Sequence, residues 1–306
     1  MDRVSIKEML SLPLDALMIE ADLVRKEHIG GSIELCGIMN AKSGACPEDC
    51  RFCAQSAHHS AHITKYPLKS VKEIVDAANK ARINGARRFG IVTSGNVPTK
   101  KEIYVIAEAV REIDRSGEIQ LCASLGALDE PAFGILRDAG LRRYHHNLET
   151  SRRYYGNIVF THSYDERVDT VKKAKSMGFE VCSGGIIGMG EDWDDRVDMA
   201  CFLKELDVDS VPINILVPVK GTPLEDCEQL TAADALRTIA LFRLILKDKT
   251  IKVAAGRESV LRDHQEMMYS AGANGMMVGG YLTIGGGSVE DDMALVENVK
   301  KSWNKG

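Results

Sequence analysis

The chain has 306 residues, a net charge of −5, and 27% charged against 44% hydrophobic side chains. That composition supplies a sizeable core and excludes fibrous, disordered and small disulfide-scaffold classes, and the lack of a basic stripe argues against nucleic acid as a partner. No apolar run reaches membrane-spanning length and the first 28 residues hold no signal-peptide core, so a cytoplasmic chain without membrane contact is expected.

Residues 1–28 predict one or two short helices, with Leu10, Leu12, Leu14, Leu17 and Ile19 as apolar positions and Pro13 as the interruption. Strand-like segments then follow at 33–41, 87–95, 119–126, 142–150, 180–189, 210–218, 250–259 and 275–283. Amphipathic helical segments lie between them. Ile74, Ala77, Ala78 and Ala81 mark one around 69–84, and Val168, Val171, Ala174 and Met177 another around 164–177. Gly85, Gly140 and Gly178 fall where a helix would end in a left-handed residue just before a strand.

Eight strand–helix repeats predict an α/β fold, a (β/α)8 TIM barrel with a short N-terminal helical extension. A doubly wound open sheet is the rival, but repeats this regular favour closure. No linker or composition shift divides the chain, so residues 1–306 are expected to form one domain, with 1–28 as the extension. The longest irregular segment, 42–68, follows strand one, on the face where barrel active sites form.

Eight cysteines are unlikely to be disulfides in such a chain, so metal or redox chemistry is the first expectation. The 42–68 loop carries Ala45-Cys46-Pro47-Glu48-Asp49-Cys50-Arg51-Phe52-Cys53, a Cys-x3-Cys-x2-Cys spacing. Three thiolates can hold a [4Fe–4S] cube and leave one iron open, whereas structural zinc wants four ligands. His58, His59 and His62 are alternative ligands, or a solvated polar stretch.

The three cysteines with Phe52 before the last resemble the signature of the radical S-adenosylmethionine superfamily. Within it, the segments 45–56, Asn147–Ser151 with Tyr155-Gly156-Asn157, 182–191, 211–224, 255–258 and 271–274 look like the biotin synthase family. The resemblance spans roughly residues 30–285. It implies that Cys46, Cys50 and Cys53 hold a [4Fe–4S] cluster that binds and reductively cleaves S-adenosylmethionine. It also implies sulfur insertion into dethiobiotin, with an auxiliary iron–sulfur cluster as the sulfur source.

Cys36, Cys122 and Cys182 fall on strands one, three and five, and Arg257 is read onto strand seven. Alternate strands of such a barrel share an interior layer, so three thiols and a guanidinium are expected to meet on the axis. Singly, each Cys reads as a small core hydrophobe. Together with a buried cation, which is costly without a partner, they read as an auxiliary site. The resemblance implies cysteines on strands two, three and five with an Arg from strand seven. Here strand two carries Gly90, and Cys36 stands where a Ser is usual. A reshaped auxiliary cluster follows as the expectation, [2Fe–2S] or larger. Cys201 and Cys227 read as packing or surface thiols.

The resemblance further places S-adenosylmethionine against Phe52, Thr93, Ser94, Gly95, Asn147, Glu149, Arg167 and Ile186. Glu149 stands where the family generally has Asp, and without the resemblance Arg167 reads as a surface helix residue. For dethiobiotin the candidates are Lys42, His145, Asn147 and Asn214, the two amides offering both donors and acceptors to a ureido ring. His145 replaces the family's usual Asn and reads equally as a satisfied core histidine. A flavodoxin- or ferredoxin-type reductant and a homodimer are implied as partners. The rivals are a methylornithine synthase or hydrogenase-maturase-like radical enzyme, and a non-catalytic zinc or cluster scaffold.

Overall fold

The computed structural model describes residues 3–282 and 285–303. Its elements run α1 (Arg3–Leu10), α2 (Leu14–His28), β1 (Glu34–Lys42), α3 (Val71–Ile83), β2 (Arg88–Thr93), α4 (Lys100–Asp114), β3 (Gln120–Ser124) and α5 (Glu130–Asp138). They continue β4 (Arg143–His145), α6 (Arg152–Tyr155), α7 (Tyr164–Ser176), β5 (Glu180–Cys182), β6 (Gly185–Ile187), α8 (Trp193–Glu205), β7 (Ser210–Ile215) and α9 (Ala232–Leu246). The last are β8 (Thr250–Val253), α10 (Arg257–Leu261), α11 (Met267–Ser270), β9 (Gly275–Met277) and α12 (Val289–Trp303).

The expected barrel forms. All strand pairs are parallel, and β9 returns to β1 with Cys36 opposite Met277, so the sheet has no open edge there. The predicted fifth strand is split into β5 and β6, both pairing with β7, which makes eight staves from nine strands. An open doubly wound sheet is thereby excluded.

The helices start and stop where their end residues dictate. Ser70 with Glu73, Thr99 with Glu102 and Ser163 with Glu166 form reciprocal capping boxes at α3, α4 and α7. Gly85, Gly140 and Gly178 take positive φ just after α3, α5 and α7, as expected. The inner helix faces bury Ile74 and Ala78, Ile106 and Val110, and Ile239 and Phe242 against the strands. Each of these Ile, Val and Phe side chains contributes about 1.5–3 kcal/mol.

The N-terminal extension is two helices broken at Pro13, as read. α2 buries Leu17 and Ala21, while Ile19 points outward and is 61% exposed, contrary to its reading as a packed position. Arg25 is buried, bonded to Asp22 and Gly30 O, with its guanidinium over the Trp303 ring of α12. Among the described residues, no helix is long and apolar enough to cross a membrane.

Candidate active site

A cavity of about 440 Å3 runs down the barrel from the C-terminal ends of the strands. An ordinary barrel interior is filled with branched aliphatics. Here cysteines, histidine, asparagines and charged groups line it instead.

The cysteine loop forms the upper wall. Cys46, Cys50, Phe52 and Cys53 all line the cavity. The loop folds on itself: Cys46 N bonds to Gln55 O, Ala57 N to Cys46 O, and Cys53 N to Cys50 O. The buried Gln55 Oε1 accepts from Asn40 Nδ2 and Gly44 N, tying the loop to β1. Outside, Asp49 Oδ1 accepts from Phe160 N and Thr161 N, and His162 Nδ1 lies 2.6 Å from Glu48 Oε2. His58 and His59 bond to Pro47 O and Cys53 O, so they brace the loop. Burial pushes the Cys50 thiol up to about 12, against the pull of Arg167. It pushes Cys53 up to about 11, though the backbone N–H groups of Gln55 and Ser56 pull the other way.

Opposite the loop stand the strand ends. Thr93, Ser94 and Gly95 line the cavity, with Ser94 Oγ bonded to Gly44 O. Glu149 is buried at φ +73°, a strained setting for a non-glycine residue and a mark of functional constraint. Gly185, the first residue of β6, makes room for its backbone, since a Cβ there would sit 2.3 Å from Glu149 O. Arg167, buried on α7, donates to Tyr155 OH and Asn147 O and lies 3.5 Å from Glu149 Oε1. It is therefore an interior residue rather than a surface one. Asn147 and Asn214 line the cavity on backbone bonds to Gly184 and to Gly185 and Ala255, and Ile186 lies between them on β6. Each amide keeps an N–H for a ligand.

Lower down, Cys36, Cys122 and Cys182 share the cavity with Lys252 of β8. Lys252 Nζ lies 3.4 Å from Cys36 Sγ and 3.0 Å from Glu34 Oε1. Below them Glu34 and Glu180 interleave with Arg88, Arg143 and Lys252, three cations against two carboxylates. Burial opposes ionisation of Glu34, but Lys252, Arg143 and Arg88 bring it down to about 2. Burial pushes the Cys36 and Cys122 thiols up. It also opposes ionisation of Cys182, yet Lys252 and His145 outweigh it and hold that thiol below its ordinary value.

Two expected site residues lie elsewhere. Arg257 is not on a strand. It opens α10, is 2% exposed, and pairs with Asp292 at 2.6 Å and with Gln265 and Tyr281. The cation at the thiol level is Lys252, five residues earlier, whose strand phase points it inward. Lys42 turns outward to Glu102 of α4 at 2.7 Å, because the register of β1 shifts between Asn40 and Lys42. His145 does line the cavity, and it lies opposite Cys182 in register. Sequence reasoning missed Glu34, Arg88, Arg143 and Lys252. Their signal was a charged residue at an inward position of a short strand. Gly90 lies beside Cys122 in register and lines the chamber without a thiol, as read.

The model of the radical SAM superfamily matches residues 41–203, more than half of the chain, and the biotin and thiamin synthesis associated domain matches 212–300. A biotin synthase of Thermotoga petrophila is 46% identical over 299 residues, 97% of this chain and 99% of that protein. One of Thermotoga neapolitana is 50% identical over 270 residues, 88% and 96% of the two chains. The chain belongs to the biotin synthase family. The crystal structure of methylornithine synthase superposes with a TM-score of 0.81 over 97% of this chain and 91% of that one, at 21% identity, a likeness of fold alone. As a family member the chain is a radical S-adenosylmethionine sulfurtransferase acting on dethiobiotin, with a [4Fe–4S] cluster and an auxiliary iron–sulfur cluster. Neither the methylornithine synthase-like nor the scaffold alternative is favoured.

The residues fit both clusters. Three thiols without a further cysteine on the loop suit a cube with one open iron. In the lower chamber, Arg88 Nε and Nη1 are buried with no hydrogen-bond partner among the described residues, Nε having only Glu34 at 3.5 Å, and an anionic group beside Cys122 would satisfy them. Among the described residues, no three His, Cys, Asp or Glu groups converge as for a single ion.

Proposed function

We propose that the one cavity holds both reactants of sulfur insertion between two iron–sulfur sites, in a single domain spanning the chain. The observation that carries this is the stacking of two thiol triads along one cavity, Cys46/Cys50/Cys53 above and Cys36/Cys122/Cys182 below. The upper thiols, with Phe52 packed beside them, hold the [4Fe–4S] cluster. Held there, that cluster would supply the electron for reductive cleavage of S-adenosylmethionine.

The chain's own residues bind and orient. Gly95, left-handed at φ +101°, lets the Thr93–Gly95 turn approach the methionine amino group closely. Arg167 faces the methionine carboxylate, which a guanidinium binds bidentately. Glu149 accepts from the ribose hydroxyls, and Ile186 packs on the purine. Asn147 and Asn214 flank the space between the triads and take the ureido ring with the N–H groups left free. Lys42 and Arg257 have no part in this reading, since both are paired outside the cavity.

Cys36, Cys122 and Cys182 are the thiol ligands of the auxiliary cluster, a [2Fe–2S] or larger group. Lys252, Arg143 and Arg88 offset its negative charge, and His145 positions Cys182. Eight free cysteines suit a reducing cytoplasm. A flavodoxin- or ferredoxin-type reductant and a homodimer belong to the same reading on family likeness.

The test is anaerobic reconstitution with and without dethiobiotin. Cleavage of S-adenosylmethionine is expected to be stimulated by dethiobiotin, and lack of stimulation rejects the reading. In a Cys36→Ser variant, iron and sulfide per chain and biotin formation are expected to fall. Unchanged content and turnover would remove Cys36 from the ligand set.

A further inference from the structure

Arg257 is almost fully buried, does not line the thiol cavity, and bonds to two residues of its wall, Tyr281 and Met277. Its Nε donates to Tyr281 OH at 3.1 Å, and that hydroxyl in turn donates to Glu258 at 2.9 Å. Arg257 Nη2 lies 2.6 Å from Asp292 and 2.9 Å from Glu258. The same two carboxylates pin the backbone around Tyr281. Asp292 accepts from Gly279 N and Glu258 from Gly287 N. Gly279 and Gly280 take φ +82° and +107° in succession, a turn that brings the chain leaving β9 back over the cavity.

Held this way, Tyr281 packs against the buried cluster of Cys36, Ala254 and Met277, as does Ile38. Leu282 also lines the cavity. This apolar wall adjoins the space between the two triads, where the reading above sets the ureido ring. Tyr281's hydroxyl is committed to Glu258, so only its ring faces a ligand.

We propose that Tyr281 is a specificity-determining residue that seats the hydrocarbon tail of dethiobiotin, and that Arg257 is a positioning residue acting through it. The inference rests on the substrate assignment above. It gives the buried guanidinium a role apart from cluster coordination. An aromatic ring buries apolar surface well at little entropic cost, so its loss weakens binding of a flexible tail by about tenfold or more.

The experiment is equilibrium binding to the anaerobically reconstituted enzyme in the presence of S-adenosylmethionine. Two ligands are compared, dethiobiotin and its methylated ureido ring lacking the tail. Tyr281→Ala is expected to weaken dethiobiotin about tenfold and to leave the ring fragment and the iron content unchanged. Tyr281→Phe keeps the wall and is expected to fall between Tyr281→Ala and the unaltered enzyme. Arg257→Gln is expected to weaken dethiobiotin while retaining full iron. No loss for dethiobiotin, or an equal loss for both ligands, overturns the inference. Iron loss in Arg257→Gln returns that residue to the cluster and overturns it as well. If the unaltered enzyme binds no dethiobiotin, the substrate reading itself fails.

Discussion

Cys46, Cys50 and Cys53 lie within eight residues of one another, whereas Cys36, Cys122 and Cys182 come from strands spread over nearly half the chain. The loop triad is organised by its own backbone and by Gln55. The Cys50 and Cys53 thiols are raised by burial, with Arg167 near Cys50 as the cation that counters it. The axial triad has no local organisation at all. It is assembled by barrel closure and sits on a bed of Lys252, Arg143 and Arg88. Local geometry thus makes the upper site, and long-range charge placement makes the lower one.

The sharpest way to break this comparison is to empty one site at a time. Cys53→Ala is expected to abolish S-adenosylmethionine cleavage and to lose about four irons per chain, as a cube demands. Cys182→Ala is expected to keep cleavage and lose biotin formation. Loss of cleavage in Cys182→Ala would show that the two sites do not work separately. Deoxyadenosine and biotin, quantified together in each variant, distinguish these cases.

A smaller effect tests the charge bed. Glu34→Gln takes from Lys252, Arg143 and Arg88 the carboxylate they share, and breaking such an interior pair costs about 3–5 kcal/mol. Lys42→Met breaks a pair on the barrel exterior and is expected to cost less than about 1 kcal/mol. Urea unfolding of the metal-free proteins measures both. Equal losses would mean that the interior network contributes no more than a surface pair.

The smallest effect is spectroscopic. Burial opposes ionisation of Cys182, but Lys252 and His145 hold its pKa below the ordinary thiol value. Metal-free protein near neutral pH is therefore expected to carry one thiolate there, lost as the pH falls. The loop thiols Cys50 and Cys53 stay protonated until strongly alkaline pH. Ultraviolet thiolate absorbance against pH, with Cys182→Ser as the control, checks this. An unchanged titration in Cys182→Ser would move the thiolate elsewhere.

The Cys-x3-Cys-x2-Cys loop was legible because its cysteines are neighbours in sequence. The eight staves were legible because apolar runs alternate with capped helices. Even the odd-strand placement of Cys36, Cys122 and Cys182 followed from counting strands, since alternate staves share a layer. Lys252 was not found, because Arg257 stands only five residues away and strand ends are hard to place by pattern. β8 stops at Val253, so Arg257 falls beyond the strand phase that aims a side chain inward. Lys42 was misplaced for a similar reason, a register shift at the end of β1.

Sequence by itself determined the barrel, the spacing of the cysteine loop and which strands carry the axial thiols, since each depends on local spacing or strand parity. Only the tertiary structure decided which cation meets those thiols, what holds Glu149 in its left-handed setting, and that Arg257 clasps Tyr281. Those contacts join residues far apart in the chain, and their partners are fixed by register and closure rather than by any local pattern.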